Sequence, residues 1–181
     1  FAWKRANAER RFTAVVGNPP FIRYQSFPEP SRTRAMDFMQ ACGLRPNKLT
    51  NIWVPFVVAA TESLEAGGRL ALVVPAELLQ VTYAAQLRSY LTERFEHIGI
   101  VACNELFFEG AEQEVLLLLA EGALSHRISG NKCRVALMQA ASVANVLAAE
   151  PSAALAALEE KDVKGDSEKW LKYFLTSREI S

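Results

Sequence analysis

Short apolar runs separated by longer amphipathic segments constrain the fold of this sequence more than any other feature. The runs are bounded by Gly, Pro and charged residues and are too short for helices, so they indicate buried strands. The amphipathic segments between them indicate helices. This alternation predicts an α/β protein with a mostly parallel sheet that is covered on both faces. The expected strands lie at about residues 12–17, 69–74, 95–102, 114–120 and 133–138.

Capping and turn residues place the other elements. One helix is expected to begin at Thr50 or Asn51 and to end at Gly67-Gly68, and a second is expected over about 76–93. Residues 22–50 are rich in Arg, Pro and Ser and predict a long irregular loop. The short link that precedes the leucine-rich run predicts that this run is an antiparallel end strand.

The first strand run ends at the tetrapeptide Asn18-Pro19-Pro20-Phe21. A residue before proline is pushed out of helical space and each proline fixes its own φ, so these residues form a stiff corner. Because the prolines carry no N–H, the Asn18 side-chain oxygen and nearby carbonyls form a local excess of acceptors, and Phe21 adds a flat apolar face. An amino group on a planar ring would satisfy both. The alternative is a strand-ending turn whose phenylalanine packs in the core.

The sequence offers little material for metal or nucleophilic catalysis. Cys42, Cys103 and Cys133 are widely spaced and lack a CxxC pattern, and His97 and His126 are isolated. We therefore expect reduced thiols in a cytoplasmic protein, and no metal site. No stretch of about twenty apolar residues is present, so no transmembrane helix is expected.

The net charge of zero hides an uneven distribution. Residues 1–50 carry nine Lys or Arg against three Asp or Glu, so the remainder is acidic. A basic field around a candidate site suits a polyanionic substrate. The basic residues around the corner are Arg10, Arg11, Arg23, Arg32, Arg34, Arg45 and Lys48.

Three segments in order resemble the N6-adenine DNA methyltransferases of restriction–modification systems. Val16 to Gln25 resembles the catalytic motif of that family and its flank. The helix and strand from Asn51 to Pro75 follow it, and Glu105-Leu106-Phe107-Phe108-Glu109-Gly110 resembles a later motif that supplies a second aromatic to the base pocket. The resemblance covers about residues 12–122. It implies the C-terminal part of a class I methyltransferase domain with a partial Rossmann-like fold.

The resemblance also implies a role for each residue of the corner. The Asn18 side-chain oxygen and the Pro19 carbonyl would accept hydrogen bonds from the adenine amino group. Phe21 would stack on the base, and Pro20 belongs to the same catalytic motif.

Further site residues and the cofactor follow from the same resemblance. Phe108, or else Phe107, would contact the base from another side. Arg23 and Tyr24 directly follow the corner and are candidates for nucleic-acid contact. The cofactor is S-adenosylmethionine, but the family's cofactor loop and its acidic ribose-binding residue lie upstream of the catalytic motif. Neither is present here, so the cofactor-binding residues are expected upstream of this chain.

These implications predict methyl transfer from S-adenosylmethionine to the N6 amine of a flipped adenine in double-stranded DNA, within a restriction–modification system. A restriction subunit, or a nuclease or recognition domain fused in the parent protein, is a candidate partner, and a membrane is not. The fragment alone is expected to be inactive. One alternative is a methyltransferase with the same motif that acts on ribosomal RNA or protein glutamine. Another is a non-catalytic DNA-binding or scaffold fragment.

Two regions are expected along the chain. Residues 1–125 would form the C-terminal half of the catalytic domain, and residues 126–181 an extension or linker toward an absent target-recognition domain. Within the extension the sequence predicts a helix over 139–158 and a charged linker over 159–169. The apolar patch from Trp170 to Phe174 is expected to dock on another surface.

Overall fold

The computed structural model describes residues 7, 9–103, 114–140, 142, 144, 161–162 and 169–170. Within these residues, the main elements are one six-stranded sheet and three α-helices. The strands are β1 (Phe12–Gly17), β2 (Leu64–Pro75), β3 (Phe95–Cys103), β4 (Val115–Ala123), β5 (Arg134–Ala140) and β6 (Lys161–Asp162). The helices are α1 (Ser31–Ala41), α2 (Trp53–Thr61) and α3 (Ala85–Thr92), with short 3-10 helices at Tyr24–Ser26, Ala76–Leu79 and Thr82–Ala84.

The sheet has the strand order β1-β2-β4-β3-β5-β6. β1 is parallel to β2, and β5 is parallel to β3. β2 and β3 are each antiparallel to β4, so they run in the same direction as one another. Four strands therefore end at one edge, which we call the carboxyl edge. The expected α/β fold with a mostly parallel sheet is confirmed.

The antiparallel strand is present, but it does not lie at the end of the sheet. β4 lies between β2 and β3, with Leu118 opposite Leu72 on one side and Ile100 on the other. With neighbours on both sides β4 has no free edge, and it is buried or half-buried from Val115 to Ala120, which suits its nearly continuous leucine sequence. The expected end position was wrong because it followed chain order. β4 lies between β3, which directly precedes it in the chain, and β2, from which α3 and β3 separate it.

One face of the sheet carries the core. Alternate residues of the three central strands, including Leu72, Ile100 and Leu118, share a single buried cluster with residues of all three helices. On the opposite face, Val73 and Leu119 are only half-buried. Val101, on that same opposite face, is buried. Among the described residues, the three α-helices pack on the core face.

Helix α1 contradicts the long loop expected over residues 22–50. The Glu29 carboxylate accepts hydrogen bonds from the backbone N–H of Thr33 at 3.2 Å and from its hydroxyl at 2.8 Å, and from Arg32 Nε at 2.9 Å. These bonds satisfy a first-turn donor and lower the pKa of Glu29. Met39 then docks the helix on the core. A cap from outside the helix and tertiary packing therefore override a loop-like composition.

The boundary between α2 and β2 also differs from the expected one. The helix ends at Thr61, well before Gly67-Gly68, and the strand begins at Leu64, which is buried and pairs with Phe12. The next pair is Ala14 with Arg69, so β2 contains several extra residues at this point. Gly67, with φ of +78°, accommodates that irregularity. The glycine pair lies within the strand and does not end the helix.

The helix expected over 76–93 is regular only in its second half. Two short 3-10 helices precede α3. The buried guanidinium of Arg88 donates from one nitrogen to the carbonyl oxygens of Leu78 at 2.9 Å and Val81 at 3.3 Å. This side chain therefore satisfies carbonyl oxygens that a regular α-helix would pair with backbone N–H groups, and the segment does not form such a helix.

The C-terminal part of the chain contributes to the same sheet and core. β5 confirms the strand expected at about 133–138, and Lys161–Asp162 of the expected linker pairs with it. Trp170 is buried in the core cluster, which confirms that this end of the apolar patch docks. The helix expected over 139–158 lies almost wholly outside the described residues, which here include Gln139 and Ala140 at the end of β5 and the single residues Ser142 and Ala144.

Candidate active site

The four-residue corner leaves the carboxyl edge of the sheet at the end of β1. Gly17, the last residue of the strand, pairs with Leu72, so the corner continues alongside the end of β2. Pro19 is buried, whereas Asn18 is exposed at the surface. Phe21 is half-buried and packs against the core cluster. One part of the Phe21 ring therefore packs in the core, as the alternative predicted, and the rest is accessible. The acceptor side chain of Asn18 is open to a ligand.

A backbone hydrogen bond fixes the exit of the corner. The N–H of Ile52 donates to the carbonyl oxygen of Ile22 at 2.9 Å. Ile52 is fully buried and directly precedes the first residue of α2. The position of Phe21 is thus coupled to the amino end of a helix that is anchored in the core.

Beside that helix end lies a polar cluster that we call the Asn51 cluster, formed by Asn51, Glu77 and Tyr83. The Asn51 amide donates to Glu77 Oε2 at 3.2 Å and to the Tyr83 hydroxyl oxygen at 3.1 Å. The Tyr83 hydroxyl donates in turn to Glu77 Oε2. All three side chains are half-buried. The cluster joins the start of α2 to the segment that leaves β2, so it braces both sides of the site.

Sequence reasoning missed this cluster. The capping pattern predicted that the helix begins at Thr50 or Asn51, yet Ile52 precedes α2 and no side chain caps it. The one available signal was the position of Glu77, two residues after the end of β2. Trp53 is fully buried in the core, and the centroid of its ring lies 6.4 Å from that of the Tyr83 ring, with an interplanar angle of 59°. Phe56, on the same helix, is half-buried.

Burial raises the pKa of Tyr83 well above its ordinary value of 10.0, and the hydrogen bond to Glu77 raises it further. The buried Trp53 indole nitrogen lies beside the hydroxyl without the geometry of a hydrogen bond. Below pH 10 this tyrosine is protonated in both the folded and the unfolded state. Above that pH the unfolded state loses the proton first, so the free energy of unfolding falls.

We therefore expect Tyr83→Phe to reduce the alkaline loss of stability. Between about pH 9 and pH 11, the wild type should lose up to about 1 kcal/mol more than the variant, a modest figure because Tyr83 is only half-buried. Denaturant unfolding at the two pH values measures this difference. Tyr24→Phe, which leaves the Asn51 cluster intact, is the control and should behave like the wild type. Equal pH dependence in Tyr83→Phe and wild type would contradict the assignment.

The two residues proposed for nucleic-acid contact lie in different surroundings. Arg23 is exposed and precedes the first 3-10 helix. The half-buried ring of Tyr24 is covered on one side by the Arg32 guanidinium, 5.1 Å from its centroid. Arg32 also forms an ion pair with Glu29 at 2.8 Å. Arg32 therefore serves the local fold, while Arg23 remains open to a ligand.

The second aromatic element of the expected pocket, Phe107 and Phe108, lies outside the described residues. Cys42 and Cys133 are thiols and not disulfides, and burial raises the pKa of the Cys133 thiol to about 12. No group of three or more His, Cys, Asp or Glu side chains that could hold a metal ion occurs in the described part of the chain. Nor does any helix found there have the length and apolar character to cross a membrane.

Comparison with curated proteins finds two Type II methyltransferases. The chain is 32% identical to M.PaeR7I of Pseudomonas aeruginosa over 90 residues, which is 50% of this chain and 15% of that protein. It is 22% identical to M.AccI of Acinetobacter calcoaceticus over 113 residues, which is 61% of this chain and 21% of that protein. The chain thus spans about a fifth or less of the length of these relatives.

Solved structures share the fold. A nuclease-deletion mutant of the Type ISP restriction-modification enzyme LlaGI, in complex with a DNA substrate mimic, matches with a TM-score of 0.67 and 16% identity, over 93% of this chain and 16% of that chain. A Type I restriction-modification methyltransferase subunit from Streptococcus thermophilus matches with a TM-score of 0.53 and 16% identity, over 71% of this chain and 26% of that chain. These likenesses confirm the expected class I methyltransferase fold.

The family model described as Eco57I restriction-modification methylase matches residues 1–108, which include the corner, the Asn51 cluster and the strands that position them. The restriction–modification resemblance of the sequence is confirmed by this match and by both curated relatives. The chain therefore belongs to the Eco57I restriction-modification methylase family.

Proposed function

We propose that this chain forms the target-base half of an adenine-N6 DNA methyltransferase in a restriction–modification system. The observation that carries the proposal is the corner at the carboxyl edge. It combines an exposed Asn18, a buried Pro19 and a half-buried Phe21, and the Ile22–Ile52 hydrogen bond fixes its exit. Ligands of open α/β sheets bind at this edge.

The chemistry of an adenine amine explains why such a corner suits it. The nitrogen lone pair is delocalised into the ring, so the amine is a poor nucleophile. The Asn18 side-chain oxygen and the Pro19 carbonyl would accept its two hydrogens and favour a more tetrahedral nitrogen, which frees the lone pair. The amine becomes acidic only as it gains the methyl group, so no strong base is needed. The contribution of these residues is orientation and charge stabilisation, with orientation worth up to about 7–11 kcal/mol in favourable cases.

Phe21 would provide the surface on which the extruded base stacks. Taking a base out of duplex DNA costs a few kcal/mol. Stacking on an aromatic ring returns about 1–3 kcal/mol per base, which offsets part of that cost. Because Phe21 is half-buried against the core, the ring would be held in one orientation when the base arrives. Phe108, or else Phe107, is proposed to close the pocket from another side.

S-adenosylmethionine is the proposed methyl donor, and when bound it supplies an electrophilic sulfonium methyl group. The sequence contains no Gly-rich loop between a strand and a following helix. We therefore assign no donor-binding residue here and place that site in the rest of a longer protein. From the family resemblance we also propose that residues 1–125 belong to the catalytic domain and that the chain alone is inactive. Residues 126–181, whose β5, β6 and Trp170 still belong to the same sheet and core, are proposed to lead on toward a recognition domain.

Double-stranded DNA is the proposed substrate. Arg23, Arg34, Arg45 and Lys48 are exposed on the segment that follows the corner, where they could contact phosphates. The LlaGI structure, which shares this fold, contains a DNA substrate mimic. A restriction subunit or a fused nuclease is the proposed partner of the full-length protein.

Nucleoside mass spectrometry tests the proposal. The full-length protein is incubated with S-adenosylmethionine and, separately, with duplex DNA, ribosomal RNA and a protein extract. We expect N6-methyladenine in DNA alone. Methylation of RNA or of protein glutamine would show that the substrate is not DNA. No methylation of any of the three would favour a binding or scaffold role.

A further inference from the structure

We propose that the turn Asn47–Thr50, which we call the probe turn, is a DNA-penetrating element. In this assignment Leu49 enters the base stack at the position vacated by the target base, and Lys48 contacts an adjacent phosphate. The inference rests on the proposed function, because it presupposes a duplex from which a base is extruded.

The probe turn is held rigidly by its own hydrogen bonds. The N–H of Thr50 donates to the carbonyl oxygen of Asn47 at 3.0 Å. The N–H of Asn47 donates to the Thr50 hydroxyl at 3.0 Å, and the N–H of Leu49 donates to Asn47 Oδ1 at 2.8 Å. Both central residues, Lys48 and Leu49, therefore project from a turn that is closed from both ends.

The probe turn is also anchored on either side. Before it, Gln86 of α3 donates to the carbonyl oxygen of Arg45 at 3.0 Å and accepts its N–H at 2.6 Å, and Leu44 is buried. At its other end, Thr50 is buried, and the following residue belongs to the Asn51 cluster. Between these anchors, Leu49 is 69% exposed. A large apolar side chain that is exposed on a rigid support is available to a partner surface.

The position of the turn relates it to the corner. Leu49 is three residues before Ile52, whose N–H contacts the Ile22 carbonyl at 2.9 Å. Three residues span at most about 11 Å, so Leu49 lies within a short reach of the residue that follows Phe21. A duplex whose extruded base stands at the corner would therefore pass close to the probe turn.

The chemistry of the tip matches a disturbed base stack. Leucine is one of the apolar residues that proteins insert between base steps, where it contacts base faces that have lost a neighbour. The adjacent Lys48 is exposed and supplies a charge for the phosphates that flank such a step. The exposed Arg45 adds to the same basic surface. An apolar tip set in basic surroundings fits DNA better than it fits an apolar protein groove.

The test uses the full-length protein and a duplex that contains its own methylation site. Leu49→Ala is expected to lower kcat/KM on this duplex by about tenfold or more, because the extruded state loses its filler. When the target adenine is placed opposite an abasic position, extrusion costs less, and the variant should approach the wild type. Leu49→Met keeps a long apolar side chain and should retain activity on both substrates. Ile128→Ala is the matched control, since Ile128 is 41% exposed at the opposite edge of the sheet, where its N–H bonds the Glu93 carbonyl.

The role of Lys48 is tested separately by salt dependence. Lys48→Ala should reduce the slope of log Kd against log salt by about one, while Lys132→Ala, in the same remote loop as Ile128, should leave the slope unchanged.

Leu49→Ala activity equal to wild type on the duplex would overturn the inference. So would an equal loss on both substrates, because a structural defect would not be rescued by the abasic position. Inactivity of the wild type on every DNA would overturn the proposed function and the inference together, whereas a normal Leu49→Ala alongside an active wild type overturns the inference alone.

Discussion

Replacing Asn18 with alanine in the full-length protein is expected to lower kcat for methyl transfer by about two to three orders of magnitude. The loss is that of one preorganised group that stabilises developing charge. Because the hydrogen bond to the amine strengthens as the nitrogen becomes tetrahedral, kcat and kcat/KM should fall together while KM stays nearly constant. Steady-state kinetics with radiolabelled methyl donor measure both constants.

Two controls separate chemistry from structure in this experiment. Asn18→Asp keeps an acceptor oxygen at the same place and should retain more activity than Asn18→Ala. Because Asn18 is exposed, the free energy of unfolding of Asn18→Ala should lie within about 0.5 kcal/mol of the wild-type value. Undiminished methyl transfer by a folded Asn18→Ala protein would refute the assignment of the corner.

Replacing Trp53 with alanine is expected to have the largest effect on stability, a loss of about 3–5 kcal/mol. Trp53 is fully buried, opens α2 and packs beside Tyr83. The cavity would loosen the helix start that holds Ile22 through Ile52, so the corner should lose its fixed exit as well. Hydrogen exchange of peptides that cover 53–61 and 70–74 in the full-length protein measures the local loss.

Trp53→Phe is the matched control. The indole nitrogen is buried and makes no hydrogen bond with a described residue, so its removal leaves no acceptor unpaired. The remaining ring fills most of the space, and a loss of about 1–2 kcal/mol is expected. Equal losses in Trp53→Phe and Trp53→Ala would show that the N–H, and not the packing, stabilises the helix start.

Local patterns in the sequence predicted the elements whose signal is local. β1, β3, β4 and β5 appear close to the expected positions, because short apolar runs bounded by turn residues have few other ways to bury themselves. The corner was predictable for the same reason, since two prolines restrict the backbone whatever surrounds them. The family resemblance rested on this corner and on the order of the segments after it.

Elements that depend on distant partners were not predictable in this way. Helix α1 needs the Glu29 cap and the core contact of Met39, neither of which alters its loop-like composition. The irregular segment before α3 depends on the buried Arg88, which donates to the carbonyl oxygens of Leu78 and Val81. β4 lies inside the sheet because it pairs with β2 on one side and with β3 on the other. The order of elements along the chain does not predict this position.

The sequence by itself determined that a strand ends in a stiff, acceptor-rich corner beside a flat aromatic ring, because proline geometry and apolar patterning act over a few residues. Only the tertiary structure decided what holds that corner in place. The Ile22–Ile52 hydrogen bond, the Asn51 cluster and the braced Asn47–Thr50 turn each join residues from separate parts of the chain. Such contacts form only once the sheet and its helices have brought those residues together at one edge.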